Sequence, residues 1–159
     1  MASPSLIDFD AIDLSKVVVP MEEVRKVCKQ RGRLELLHGI SHFDVEGELI
    51  VGYRDVRSDE WWAADHVPGR PIFPGVLQIE GAAQLCTYDF IHRRPDLEGK
   101  FVGYGGLNET RFRGVVEPDC RLVWAGKIRK MRSTMFAYYA QAFVERKLVF
   151  ETEILGVVV

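Results

Sequence analysis

The sequence predicts an α+β domain, a curved antiparallel sheet wrapped around one long buried helix. Three observations carry this. VLQIEGAAQLCTYDFIH, Val76 to His92, is apolar on nearly every side, so it is expected inside the fold rather than on its surface. The residues after it are rich in β-formers and alternate in places, with Leu122, Trp124 and Gly126 opposed to Val123, Ala125 and Lys127. The chain has 159 residues, 47% apolar and 28% charged, which supports one core and argues against disorder. With so few elements, wrapping a sheet around the helix is the simplest way to bury it.

The elements follow in order. Residues 1–15 read as an N-terminal arm, loose as far as Pro20, and residues 16–159 as a single domain. MEEVRKVCKQR, Met21 to Arg31, places Val24, Val27 and Cys28 at helical spacing and predicts a short amphipathic helix. Segments 34–46 and 47–58 predict strands, the second being rich in β-formers. The long helix should stop at Arg94, because Pro95 disfavours helical backbone in the residue before it. Strands are then expected at Phe101–Tyr104, Leu107–Val116, Cys120–Met131, Ser133–Arg146 and Lys147–Val159.

Several function classes are set aside early. A formal net charge of -2 does not favour nucleic acid or an anionic membrane surface as main partner. No apolar run approaches the roughly 18 residues of a membrane span. The N-terminus lacks a basic start followed by an apolar stretch, so no secretory signal is expected. Cys28, Cys86 and Cys120 are odd in number and widely spaced, which suggests reduced thiols and a cytoplasmic protein. His38 and His42 are four apart but lack an accompanying carboxylate motif, and no other Cys/His group has zinc-ligand spacing, so no metal is expected.

The most informative stretch is HVPGRPIFPGVLQIEGAAQ, residues 66–84. Pro71 and Pro74 fix φ and remove donors, while Gly69 and Gly75 allow conformations that other residues avoid. The result is a stiff turn leading into the helix. Amides at a helix start are unpaired and carry partial positive charge. Those of Gly75 and Val76 are therefore candidates to hold an oxygen gaining negative charge. Glu80 lies on the helix among Val76, Leu77, Ile79, Ala83 and Leu85, and apolar surroundings favour a protonated carboxyl, a candidate general acid. His66, just before the turn, is the candidate base. Gln84, one helical turn beyond Glu80, is placed to orient it. Acid, base and oxyanion-binding amide suit proton abstraction beside a carbonyl followed by loss of a leaving group. A structural reading stands beside this one: Glu80 as an acid favoured by the helix dipole, His66 as a loop histidine bonded to backbone.

The same stretch resembles the active-site signature of the (3R)-hydroxyacyl-[acyl-carrier-protein] dehydratases, which are hot-dog-fold enzymes. The matching residues are His66, Pro68, Gly69, Arg70, Pro71, Pro74, Gly75, Val76, Leu77, Glu80 and Gln84, with no gap between His66 and Glu80. RGRLELLHGI and GLNETRFRGVVEPDCRLV are similar to the family's early strand and later Arg-Phe segment, so the likeness runs over roughly residues 15–159. It departs at Val67, where the family has phenylalanine. The resemblance implies that His66 takes the α-proton, Glu80 protonates the departing hydroxyl, and the Gly75 amide binds the thioester carbonyl. It implies catalytic groups from two subunits of a homodimer, which in relatives often assembles into a trimer of dimers. It implies no metal or organic cofactor, and a substrate carried on the phosphopantetheine arm of acyl carrier protein. Glu80 together with Arg70 looks like the plain dehydratase branch rather than the branch that also isomerises the double bond.

The expected activity is dehydration of (3R)-3-hydroxyacyl-[acyl-carrier-protein] to the trans-2-enoyl product in fatty-acid synthesis. A hydratase or thioesterase acting on coenzyme A thioesters, and a non-catalytic acyl-binding module, are the alternatives. Phe73, Phe112, Trp61 and Trp62 are candidates to line an acyl channel, with plain core as the other reading. The basic run Lys127, Arg129, Lys130 and Arg132, with Arg93 and Arg94, is a candidate docking surface for an acidic carrier or an ordinary solvated face.

Overall fold

The computed structural model describes residues 3–159. Met1 and Ala2, the first two residues of the expected arm, lie outside the described residues. Seven strands form one antiparallel sheet: β1 (Val19–Pro20), β2 (Gly39–Asp44), β3 (Leu49–Val56), β4 (Val102–Phe112), β5 (Cys120–Met131), β6 (Met135–Val144) and β7 (Lys147–Val158). Their order across the sheet is β1-β2-β3-β5-β6-β7-β4, so β4 lies at an edge. Three α-helices accompany them among the described residues: α1 (Met21–Val27), α2 (Trp61–Asp65) and α3 (Gly75–Arg93).

The helix α3 is the axis of the fold. It is one residue longer at each end than the apolar pattern predicts, and it packs against β3, β5, β6 and β7. Its length, 19 residues, is about 28 Å at the α-helical rise. Leu77, Gly81, Ala82, Leu85, Cys86, Phe90 and Ile91 are all buried. Small residues let the sheet come close: a methyl group on Gly81 would overlap the buried ring of Trp124. The same indole donates from Nε1 to the carbonyl of Gln78, at 3.0 Å. This sheet-around-helix arrangement is the expected hot-dog fold.

The alternation along β5 is realised on its two faces. Leu122 and Trp124 join the core around α3. Val123 and Ala125 face the other way, into a second cluster with Ile7, Val51, Tyr53 and Phe143. The arm supplies that cluster's cover, and here the expectation of a loose segment is corrected. Ile7 is only 3% exposed. Leu6, Phe9, Ile12 and Leu14 pack around the cluster. The buried amide of Gln141 holds the arm's backbone from both sides: its Oε1 accepts from the Leu6 N–H at 2.8 Å, and its Nε2 donates to the Pro4 carbonyl at 2.9 Å.

Other differences are local. The two strands expected at Phe101–Tyr104 and Leu107–Val116 are one, β4, with register shifts at 104/106 and 108/111. Bulges absorb the extra residues without breaking the ladder, and Glu109 takes a φ of 48° at the second. The strand expected from 34 begins at Gly39. Before it, the carbonyls of Glu35 and Leu36 are taken by the guanidinium of Arg54 rather than by a neighbouring strand. α1 stops at Val27, and in place of a further helical turn the Arg31 guanidinium donates to the carbonyls of Arg25 and Cys28. α2 is not foreseen by periodicity, being five residues long.

Candidate active site

His66 caps the C-terminal end of α2, its backbone N–H donating to Trp62 at 2.9 Å. α2 is anchored by the buried side chain of Trp62 and by Glu60, which pairs with Arg54 and accepts the Arg57 amide at 2.9 Å. The ring Nδ1 of His66 lies 2.8 Å from the carbonyl oxygen of Ile72. A carbonyl only accepts, so Nδ1 carries the hydrogen and the neutral ring presents Nε2 as its basic nitrogen. The loop between is closed by a turn from Arg70 N–H to the Val67 carbonyl, with Gly69 at φ +82°. It is tied to the strand side by Phe73 N–H to the Val116 carbonyl at 2.8 Å and by the exposed pair Arg70–Glu117.

α3 begins at Gly75 with no side-chain cap. Among the described residues, no acceptor meets the amides of Gly75 and Val76, the first two of the helix. Phe112, half exposed and stacked on Phe150, lies against Gly75: a Cβ there would stand 2.8 Å from its ring. Val76 is 71% exposed. With Ile79, Glu80, Tyr104 and Leu107 it borders a cleft of about 540 Å³ along the β4 edge.

Glu80 does not have the apolar surroundings expected of it. Its Oε1 accepts from Gln30 Nε2 at 3.0 Å and Gln84 Nε2 at 2.9 Å, and its Oε2 accepts from the Tyr104 hydroxyl at 2.8 Å. Gln84 is itself fixed, its Oε1 accepting the Leu36 N–H and its Nε2 also donating to the Leu34 carbonyl. Cys28 stands nearby, its thiol pushed up to about 12, chiefly by burial and then by the Glu80 charge. Burial and the Glu80 carboxylate likewise push the Tyr104 phenol well above its ordinary range. Gln30 and Tyr104 are the site residues that sequence reasoning missed. They come from the loop after α1 and from β4, and no motif joins them to Glu80.

The remaining candidates divide. Phe73 and Trp62 are corrected from channel lining to core: they are 1% exposed and pack edge to face at 5.3 Å. Trp61 is 41% exposed, on the helix that carries His66. His66 borders neither the cleft by Val76 nor the small cavity beside Glu80. Lys127 and Arg129 point to the sheet face covered by the arm, away from α3 and Glu80.

A FabA-like domain matches residues 29–153. The chain belongs to the FabA-like family. It is 29% identical over 145 residues to the 3-hydroxyacyl-[acyl-carrier-protein] dehydratase FabZ of Campylobacter jejuni, covering 89% of this chain and 99% of that one. It is 38% identical over 115 residues to the protein of the same name from Syntrophobacter fumaroxidans, covering 72% and 78%. Among solved structures, the dehydratase heterocomplex ApeI:P from Xenorhabdus doucetiae superposes with a TM-score of 0.72 at 12% identity, over 86% of this chain and 90% of that one. That last likeness is one of fold.

Proposed function

We propose that this FabA-like chain is a hydro-lyase that dehydrates (3R)-3-hydroxyacyl-[acyl-carrier-protein] to the trans-2-enoyl product in fatty-acid synthesis, as a cytoplasmic homodimer. The observation that carries the reading is the pairing of two features across the turn of residues 67–74: an imidazole locked by Ile72 with Nε2 as its basic nitrogen, and a helix start with free amides one turn before a carboxyl. The dehydratase names of the relatives support the substrate class. No helix is long and apolar enough to cross a membrane among the described residues.

The reaction balances with these groups alone. His66 Nε2 removes the proton from the carbon next to the thioester carbonyl. The electron pair moves towards the carbonyl oxygen, and the amides of Gly75 and Val76 hold the charge that develops there. As the pair returns to form the new double bond, the neighbouring carbon–oxygen bond breaks. The departing oxygen takes the proton of Glu80 and leaves as water. Imidazolium and carboxylate remain, and a net proton transfer between them restores the site.

The same geometry supports the dimer reading. β4 has a free edge and carries Tyr104, Leu107 and Phe112, exposed by 52%, 39% and 52%. An apolar free edge strand is a template for pairing with a second copy. Such pairing offers a way for His66 of one subunit to face Glu80 of the other.

Replacement of His66 by Ala, or of Glu80 by Gln, is expected to lower turnover by about a hundredfold or more, a typical contribution of a general base or acid. Mass spectrometry of the carrier-linked substrate reads this as loss of the dehydrated product, and circular dichroism checks that the fold persists. Near-normal turnover in either variant contradicts the proposal. Comparing carrier-linked with coenzyme A substrates separates it from a hydratase of free thioesters.

A further inference from the structure

The two oxygens of Glu80 are not equivalent. Oε1 receives two side-chain amide N–H groups, from Gln30 and Gln84. An amide nitrogen donates and cannot accept, so in this arrangement a proton on Oε1 would face two donors and is disfavoured relative to one on Oε2. Oε2 meets one partner, the hydroxyl of Tyr104. A phenol donates or accepts by turning one bond, and burial with the adjacent carboxylate keeps this one protonated.

Resting on the reading of Glu80 as the general acid, we infer that Oε2 is the oxygen that carries and delivers the proton, and that Gln30 and Tyr104 are positioning residues that make it so. With Glu80 protonated, the Oε2 hydroxyl points to the substrate or to the Tyr104 oxygen. When the carbon–oxygen bond of the substrate breaks, the proton leaves Oε2 with the departing oxygen, and its bonding pair stays on the carboxylate. Tyr104 then directs its hydrogen at Oε2, the arrangement seen here. Nothing beyond the substrate, Glu80 and water enters the balance.

The groups that face this carboxyl come from three elements. Tyr104 comes from β4. Gln30 and the buried Cys28, with Arg31 beyond it, come from the segment after α1. Gln84 comes from α3 itself. Cys28 stays a thiol in the working range, because burial pushes it up to about 12. Gln30 lies 50 residues before Glu80, and Tyr104 lies 24 after it.

The test is the pH dependence of kcat for Tyr104→Phe and Gln30→Leu. Each removes one donor from the carboxylate and leaves most of the bulk. Each should lower kcat by about tenfold, keep KM within about twofold, and move the basic limb of the kcat profile up by about one pH unit, the scale of one hydrogen bond to a charged group. A purely structural role would lower the melting temperature or raise KM without moving that limb. If either variant fails to fold, the other decides, since each removes one donor from the same carboxyl. An unshifted limb in the folded variants, with Glu80→Gln inactive, overturns this inference and leaves the acid role standing. An active Glu80→Gln overturns the acid role itself.

Discussion

His38 is held by its ring. Nδ1 accepts the backbone N–H of Asp55 at 3.0 Å, and burial, followed by the nearby Arg54 charge, lowers its pKa below the ordinary 6.5. A histidine kept neutral in the fold binds a proton more readily once unfolded. Its contribution to stability is therefore complete above about pH 6.5 and is lost as pH falls below that value towards the folded pKa. His38→Asn keeps an acceptor for the Asp55 amide and removes the titration. Between pH 7 and 5 the melting temperature of the wild type should fall more than that of the variant; equal slopes would show that His38 does not titrate with folding. At this scale His66, Glu80 and the helix-start amides were legible as candidates, because the chain carries them through one uninterrupted turn. Gln30 and Tyr104 were not. They reach Glu80 only through tertiary packing, and a glutamine in a loop or a tyrosine among glycines gives no signal of its target. Phe73 and Phe112 lie on opposite sides of that limit: residue type is the same, and only the fold puts one in the core and the other over Gly75.

Among the elements, α3 was readable nearly to the residue, since an all-round apolar run between Pro74 and Pro95 leaves little freedom at either end. Its close packing makes a definite prediction. Alanine at an open helical position gains up to about 1 kcal/mol over glycine. At Gly81 the added methyl overlaps Trp124, a wholly buried ring that also donates to the Gln78 carbonyl. Gly81→Ala should therefore destabilise the fold, by about 1–3 kcal/mol as overpacked cores do. Urea unfolding measures this, and a variant as stable as the wild type would mean that the sheet and helix are less tightly joined than described. β4 was legible as strand but not as one strand, because glycines that read as a break instead serve bulges. The arm was misread for a related reason. Leu6, Ile7, Phe9, Ile12 and Leu14 are interleaved with acids and show no period, and what orders them is the apolar back of β3, β5 and β6.

For the whole molecule, the feature that bears on the proposed dimer is the separation of His66 from the openings beside Glu80. His66 lines neither of the two openings that Glu80 borders, while the free edge of β4 exposes apolar side chains beside Glu80. Composition and periodicity describe a single chain and carry no account of a second copy; the expectation of shared sites came from the family resemblance. The measurement that bears most directly on it uses two inactive proteins. His66→Ala and Glu80→Gln subunits, each with its own tag, are refolded together and the mixed dimer is isolated. Catalytic groups donated by opposite subunits leave that dimer with one intact site of two, so it should dehydrate carrier-linked substrate at about half the wild-type rate. A mixed dimer as inactive as either parent would contradict the composite site.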